Sequence, residues 1–117
     1  MAYIKKNILV VEQNSILRDK FNSAFLYSGY DVQITDRIAD AVEMISSGHQ
    51  SVRPFDLVVV DISDKKHLGL VGDVQNINNK IPVFTLKDAA DKSMVIELLN
   101  QKRAEFIEHF IQAHARV

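Results

Sequence analysis

Three apolar runs in this chain stop at a residue that can carry charge. Phe55-Asp56-Leu57-Val58-Val59-Val60 is closed by Asp61, Ile8-Leu9-Val10-Val11 by Glu12, and Ile81-Pro82-Val83-Phe84-Thr85-Leu86 by Lys87. An apolar run cut off in this way is the pattern of a strand buried on both faces of a parallel sheet. In open α/β sheets the carboxyl ends of the strands are where ligands and chemistry gather. Asp61 and Glu12 are therefore either acids placed to meet a ligand or strand-terminating residues that cap the next turn. The histidines carry less: His49, His67, His109 and His114 are scattered, and the last two are five apart, off a shared helical face. All four read as surface or structural residues.

The elements needed to bring those acids together alternate along the chain. After the first run, Gln13-Asn14-Ser15 supplies capping side chains, and Ile16, Leu17, Phe21, Ala24, Phe25 and Tyr27 recur at helical spacing as far as the stop at Ser28-Gly29. Tyr30 to Thr35 alternates as a strand with one face less deeply buried. Asp36 can cap a second helix with Ile38, Ala41, Val42 and Ile45 on its apolar face and Ser47-Gly48 as its end; His49 to Pro54 then leads back to the central run. A third helix is expected from about Leu68 to Ile77, ended by Asn78-Asn79-Lys80. Pro82 sits at the start of the fourth strand, where a ladder donor matters least. From Ala89 onward there is no glycine or proline, and most residues favour helix. Four β-α repeats with short connections imply a parallel sheet with helices on both faces.

Bulk properties narrow the class without naming a function. A length of 117 residues suits one domain with one core, residues 1–117. A hydrophobic fraction of 47%, 25% charged residues and a net charge of −1 make no electrostatic case for nucleic acid or for an anionic membrane. With no cysteine there is neither a disulfide framework nor a thiolate site, which suits a cytoplasmic location. The four-residue apolar run behind Met1 to Asn7 is too short for a targeting segment or a membrane span.

Taken together, Ile8-Leu9-Val10-Val11-Glu12-Gln13, Ser28-Gly29-Tyr30-Asp31-Val32, Phe55 to Asp61, Gly69-Leu70 and Ile81-Pro82-Val83 resemble, in order and spacing, the receiver domain of two-component response regulators. The resemblance runs from Asn7 to about Phe110. It implies a flavodoxin-like, doubly wound parallel sheet of five strands in the order 2-1-3-4-5, with helices on both faces and a fifth helix that is short or missing. It also implies a module of signal transduction rather than an enzyme, with at most self-phosphorylation and dephosphorylation at Asp61. The partners it implies are a histidine kinase or another signalling protein, and an output domain that follows the receiver in a longer regulator.

In that family an acidic pair after the first strand and an acceptor aspartate after the third hold one magnesium ion. The ion and a lysine after the fifth strand offset the charge that builds on the phosphoryl group. Carried over, Asp61 matches the phospho-acceptor, Glu12 the first acid and the Ser63 backbone carbonyl the third protein ligand, all oxygen donors suited to magnesium. Gln13 replaces the second acid with an amide, which lowers the negative charge offered to the ion. Lys87 stands at the position of the switch hydroxyl, and Thr85 lies two residues too early to replace it. Glu108-His109 stands where the family has Lys-Pro, so an anion replaces the fixed cation. These departures favour a receiver that works through protein–protein contact, with Mg2+-dependent phosphorylation weakened or lost; the alternative is a conventional phospho-accepting receiver. In the first case Lys87 is expected to reach into the pocket and pair with Asp61 and Glu12.

The carboxyl-terminal part admits two arrangements. In the favoured one, Asn100 is a left-handed cap, Glu105-Phe106-Ile107-Glu108 is an edge strand, and Phe110 to Val117 is a helical stub. In the other, one helix runs from about Lys92 to Ala115, and the uncovered sheet edge finds a second copy in a homodimer.

Overall fold

Asn7–Val11 (β1) and Leu57–Asp61 (β3) are buried at every position, as strands must be when helices cover both faces of their sheet. In the computed structural model, which describes residues 5–50 and 54–114 and the side chains of 47–50 excepted, they form its centre. Asp31–Thr35 (β2) lies beyond β1, and Val83–Leu86 (β4) lies beyond β3. All pairings are parallel and the order is β2-β1-β3-β4. Two apolar layers flank the sheet. On one face Ile8, Val10, Leu57 and Val59 meet Phe21, Phe25, Leu99, Ile107 and Ile111. On the other, Leu9, Val11, Val58 and Val60 meet Ala41, Ile45, Leu70 and Val74.

The helices begin and end where their residues allow. Ser15–Tyr27 (α1) starts behind Asn14, whose side chain accepts the Leu17 N–H at 3.0 Å, and stops at Gly29, whose φ of 93° suits a residue without a Cβ. Ile38–Gln50 (α2) runs through Ser47-Gly48 instead of ending there, because helical propagation tolerates one glycine at a cost of about 1 kcal/mol. The expectation for His49 concerns a side chain outside the described residues. Leu68–Ile77 (α3) follows a single 3₁₀ turn, Lys65–His67, and matches the expected span. Among the described residues no helix is long and apolar enough to cross a membrane.

The fifth strand is a correction. Among the described residues the sheet has four strands, and Glu105-Phe106-Ile107-Glu108 opens a helix, Glu105–His114 (α5). Nor is there one long helix: Ala89–Asn100 (α4) ends in a turn before α5 begins. The left-handed residue that makes the turn is Lys102, φ 56°, and not Asn100. Its N–H reaches the Leu99 carbonyl at 3.0 Å and the Arg103 N–H the Leu98 carbonyl at 2.9 Å, which satisfies the helix end without glycine. The Lys102 ammonium lies 4.9 Å from the centre of the Tyr27 ring, and the Ser28 hydroxyl donates to the Leu99 carbonyl at 2.6 Å, so the turn is anchored on the end of α1.

Apolar periodicity explains why α5 is a helix. Ile107 and Ile111 are buried, while Phe106 and Phe110 pack their rings 6.4 and 4.8 Å from that of Phe84 on β4. Two adjacent i, i+4 pairs share one face of a helix, whereas in a strand Phe106 and Phe110 would face one side of the sheet and Ile107 and Ile111 the other.

Candidate functional site

Glu12 directly follows β1 and Asp61 ends β3, so the parallel pairing of the two strands brings their carboxylates to the same end of the sheet. Both are almost closed to solvent, 2% and 3% exposed. The group that holds them is Lys92, itself 5% exposed, whose ammonium lies 3.0 Å from Glu12 Oε1 and 2.9 Å from Asp61 Oδ1. Lys92 is in the first turn of α4, with its own N–H on the Asp88 carbonyl at 3.1 Å. That helix leaves the carboxyl end of β4, so its first turn lies over the acids.

The remaining donors complete the pocket. The Ser63 N–H donates to Asp61 Oδ1 at 2.9 Å, and the Asn14 N–H to Glu12 Oε2 at 3.1 Å. His67, 1% exposed, closes the floor. Its Nδ1 is 2.6 Å from the Asp61 carbonyl, which can only accept, so Nδ1 carries the proton. Nε2 is then an acceptor, and the Gln13 amide N–H donates to it at 3.2 Å. Every buried side-chain nitrogen and oxygen among the described residues has a partner.

Burial is the largest single influence on Asp61 and pushes its carboxyl up, but hydrogen bonds from Ser63 and Lys92, with the lysine's charge, outweigh it. The carboxyl is held below its ordinary range. Burial likewise pushes Lys92 down, and the hydrogen bonds and charges of Asp61 and Glu12 raise it above the ordinary lysine value. Both members of the pair are charged at neutral pH.

Of the residues singled out in the sequence, Glu12, Gln13, Asp61 and Ser63 come together here. Lys87 does not: it is exposed at the end of β4, and the expectation that it enters the pocket is corrected in favour of Lys92, five residues on. A residue that directly extends an edge strand has open solvent to turn to, whereas one on the buried stripe of the next helix has not. The signal for Lys92 was present in the chain. It stands three, four and seven residues before Val95, Ile96 and Leu99, all buried, so a helical wheel puts a lysine on an apolar stripe where none belongs unless paired. Glu108 is also elsewhere. It lies in α5, where its carboxylate accepts from the Lys6 ammonium and, at 2.6 Å, from the Tyr30 hydroxyl, near the amino ends of β1 and β2.

No known family model matches this chain, and no curated protein does. Solved structures do. A structure of a transiently phosphorylated "switch" in bacterial signal transduction matches with a TM-score of 0.67 at 13% identity, over 96% of this chain and 98% of its own. A fusion carrying amino acids 181–211 of the yeast Spc42 trimeric coiled coil matches with a TM-score of 0.64 at 18% identity, over 93% of this chain and 86% of its own. What the chain shares with them is a fold, the flavodoxin-like α/β arrangement of parallel strands between helices.

Proposed function

We propose that this chain is a receiver-like signalling module in which an internal lysine has closed the acidic pocket, so that it acts by binding other proteins and not by Mg2+-dependent phosphorylation. The observation that supports this reading is the Lys92 ammonium at 3.0 and 2.9 Å from Glu12 and Asp61, all three nearly inaccessible. A dication bridging those carboxylates would need the space the ammonium fills, and repulsion between the two cations would compound the clash. Glu12 Oε2 already accepts the Asn14 N–H, and the Gln13 amide nitrogen is held on His67. Among the described residues no group of three acids, histidines or cysteines is arranged to hold a metal. As arranged, the donors do not fit magnesium. The partner is then a signalling protein that recognises the folded surface, whatever the state of Asp61.

One observation favours a second reading. Lys92 lies 2.9 Å from an oxygen of Asp61, close enough for its ammonium to take over, beside a phosphorylated Asp61, the neutralising role lost at Glu108. In that case Asp61 is a working acceptor, Lys92 swings from carboxylate to phosphoryl oxygen, and a histidine kinase is the donor.

Intact mass after incubation with a small-molecule phosphodonor and magnesium separates the two, with Asp61→Ala as control. No added phosphoryl group on the folded parent is the expected result. A gain of one group in the parent and none in the control would establish the second reading.

A further inference from the structure

The outer edge of β4 has the features of a pairing surface, and we infer that it is where a second copy of this chain docks, edge to edge and antiparallel, joining two sheets into one. The ladder to β3 fixes which backbone groups are free for this. The Val58 N–H donates to the Pro82 carbonyl at 3.1 Å and the Ile62 N–H to the Leu86 carbonyl at 2.9 Å. In a parallel ladder alternate residues face one neighbour, so Pro82, Phe84 and Leu86 face β3. Val83 and Thr85 therefore turn their N–H and C=O groups outward. Among the described residues no strand takes them.

Apart from its shortness, four residues, nothing within β4 guards that edge. Proteins blunt exposed edges with proline, bulges or charges within the strand. Here Pro82 faces β3, so its missing N–H costs the outer edge nothing, and no charged residue falls between Ile81 and Leu86. The opposite edge differs, since β2 carries Asp31 and an exposed Gln33.

The sequence around the strand selects the occupant. An antiparallel pair centred on Phe84 sets Val83 opposite Thr85 of the second copy and Thr85 opposite its Val83, each exchanging both backbone hydrogen bonds. The same register brings Lys80, in the turn before β4, toward Asp88 of the second copy, the cap of α4, and by symmetry Asp88 toward Lys80; both are exposed. Moving the centre by one residue to Val83 or to Thr85 places Lys80 opposite Leu86 or Ala90 and loses both charge pairs. Phe84 would face its own copy, extending the ring cluster it already forms with Phe106 and Phe110. One strand is thus complementary to itself in shape, hydrogen bonding and charge, as a two-fold interface requires.

Sedimentation equilibrium over a dilution series tests this on the full chain. A dimer populated at roughly 100 μM and dissociating on dilution is expected for so small an interface. Thr85→Pro removes an outward donor without touching the β3 ladder and should leave only monomer. Lys80→Glu should weaken the dimer roughly tenfold, since it replaces two attractive pairs with two repulsive ones, and Lys80→Glu with Asp88→Lys should restore it. The reversal keeps the test decisive if Thr85→Pro does not fold. A monomer at about 1 mM, or a dimer indifferent to Lys80→Glu, overturns the proposal. So does a monomer whose Val83 and Thr85 amides resist hydrogen exchange, which would put a different segment on that edge.

Discussion

A lysine meets an acid at each end of the sheet, Lys92 at one and Lys6 at the other, and the two clusters do different work. At the carboxyl end Lys92, Glu12 and Asp61 are buried, with side chains 6%, 2% and 3% exposed. At the amino end Lys6 and Glu108 pair with more than a third of each side chain in solvent, and the Tyr30 hydroxyl donates to the same carboxylate. The exposed cluster gives up little hydration and ties α5 to the sheet. The buried one has surrendered the hydration of three charges, a cost that attraction between them only roughly repays. Stability alone would be served as well by three apolar side chains. On the function proposed above, the buried cluster is an acidic pocket closed by a lysine.

The largest effect expected from breaking this contrast comes from Lys92→Met. It leaves two carboxylates buried without a cation, and urea unfolding should show a loss of about 3–5 kcal/mol. The same variant tests the proposed function, because the space left between Glu12 and Asp61 becomes available to a metal. Magnesium should then raise the variant's unfolding midpoint and leave the parent's unchanged. A loss under about 1 kcal/mol would mean that the ammonium stabilises little in place, as an exposed pair does.

The next effect is in pH dependence, and its sign separates parent from variant. Asp61 and Glu108 are held below the ordinary carboxylate range, so each contributes stability that is present above the unfolded value and lost as pH falls through the folded one. Lys92 is raised, so its contribution is present below the ordinary lysine value of 10.5 and lost as pH rises through the folded one. The parent should therefore be flat across neutral pH and weaken at both extremes. In Lys92→Met the buried Asp61 carboxyl loses its cation, and burial is expected to push it above the unfolded value. The folded variant then binds more protons than the unfolded chain, and its stability should increase on acidification from pH 7 toward about 5. Denaturant midpoints at several pH values would read this directly; parallel profiles would break the contrast.

How far the chain disclosed these clusters follows from the physics of each. The strands were legible because residues buried on both faces leave unbroken apolar runs, and the acids that close them at Glu12 and Asp61 mark the same end of the sheet. The cation was misplaced because the switch position at the end of the fourth strand pointed to Lys87, whereas burial follows helical periodicity and pointed to Lys92. The last helix was misread for a related reason. A helix end without glycine looks unfinished in sequence, yet Lys102 adopts the left-handed conformation and is held there by Tyr27. The strain of a non-glycine residue in that region is roughly 1–2 kcal/mol, within reach of the contacts around it.

The smallest effects belong to the exposed charges, and they sharpen the contrast by failing to match it. Glu108→Gln keeps an oxygen for the Tyr30 hydroxyl and removes only the charge. Burial pushes this carboxyl up, but the hydrogen bonds from Lys6 and Tyr30 outweigh it and hold it low, so the loss should come with the acid limb of the stability profile. With both partners of the ion pair substantially exposed, about 1 kcal/mol or less is expected, and less again in high salt. Lys87→Ala sets the baseline: an exposed lysine outside the pocket should change stability by no more than about 0.5 kcal/mol. Were Lys87→Ala to approach the cost of Lys92→Met, the pocket's cation would have been assigned to the wrong lysine. Were Glu108→Gln to approach it, the two ends of the sheet would not differ in kind.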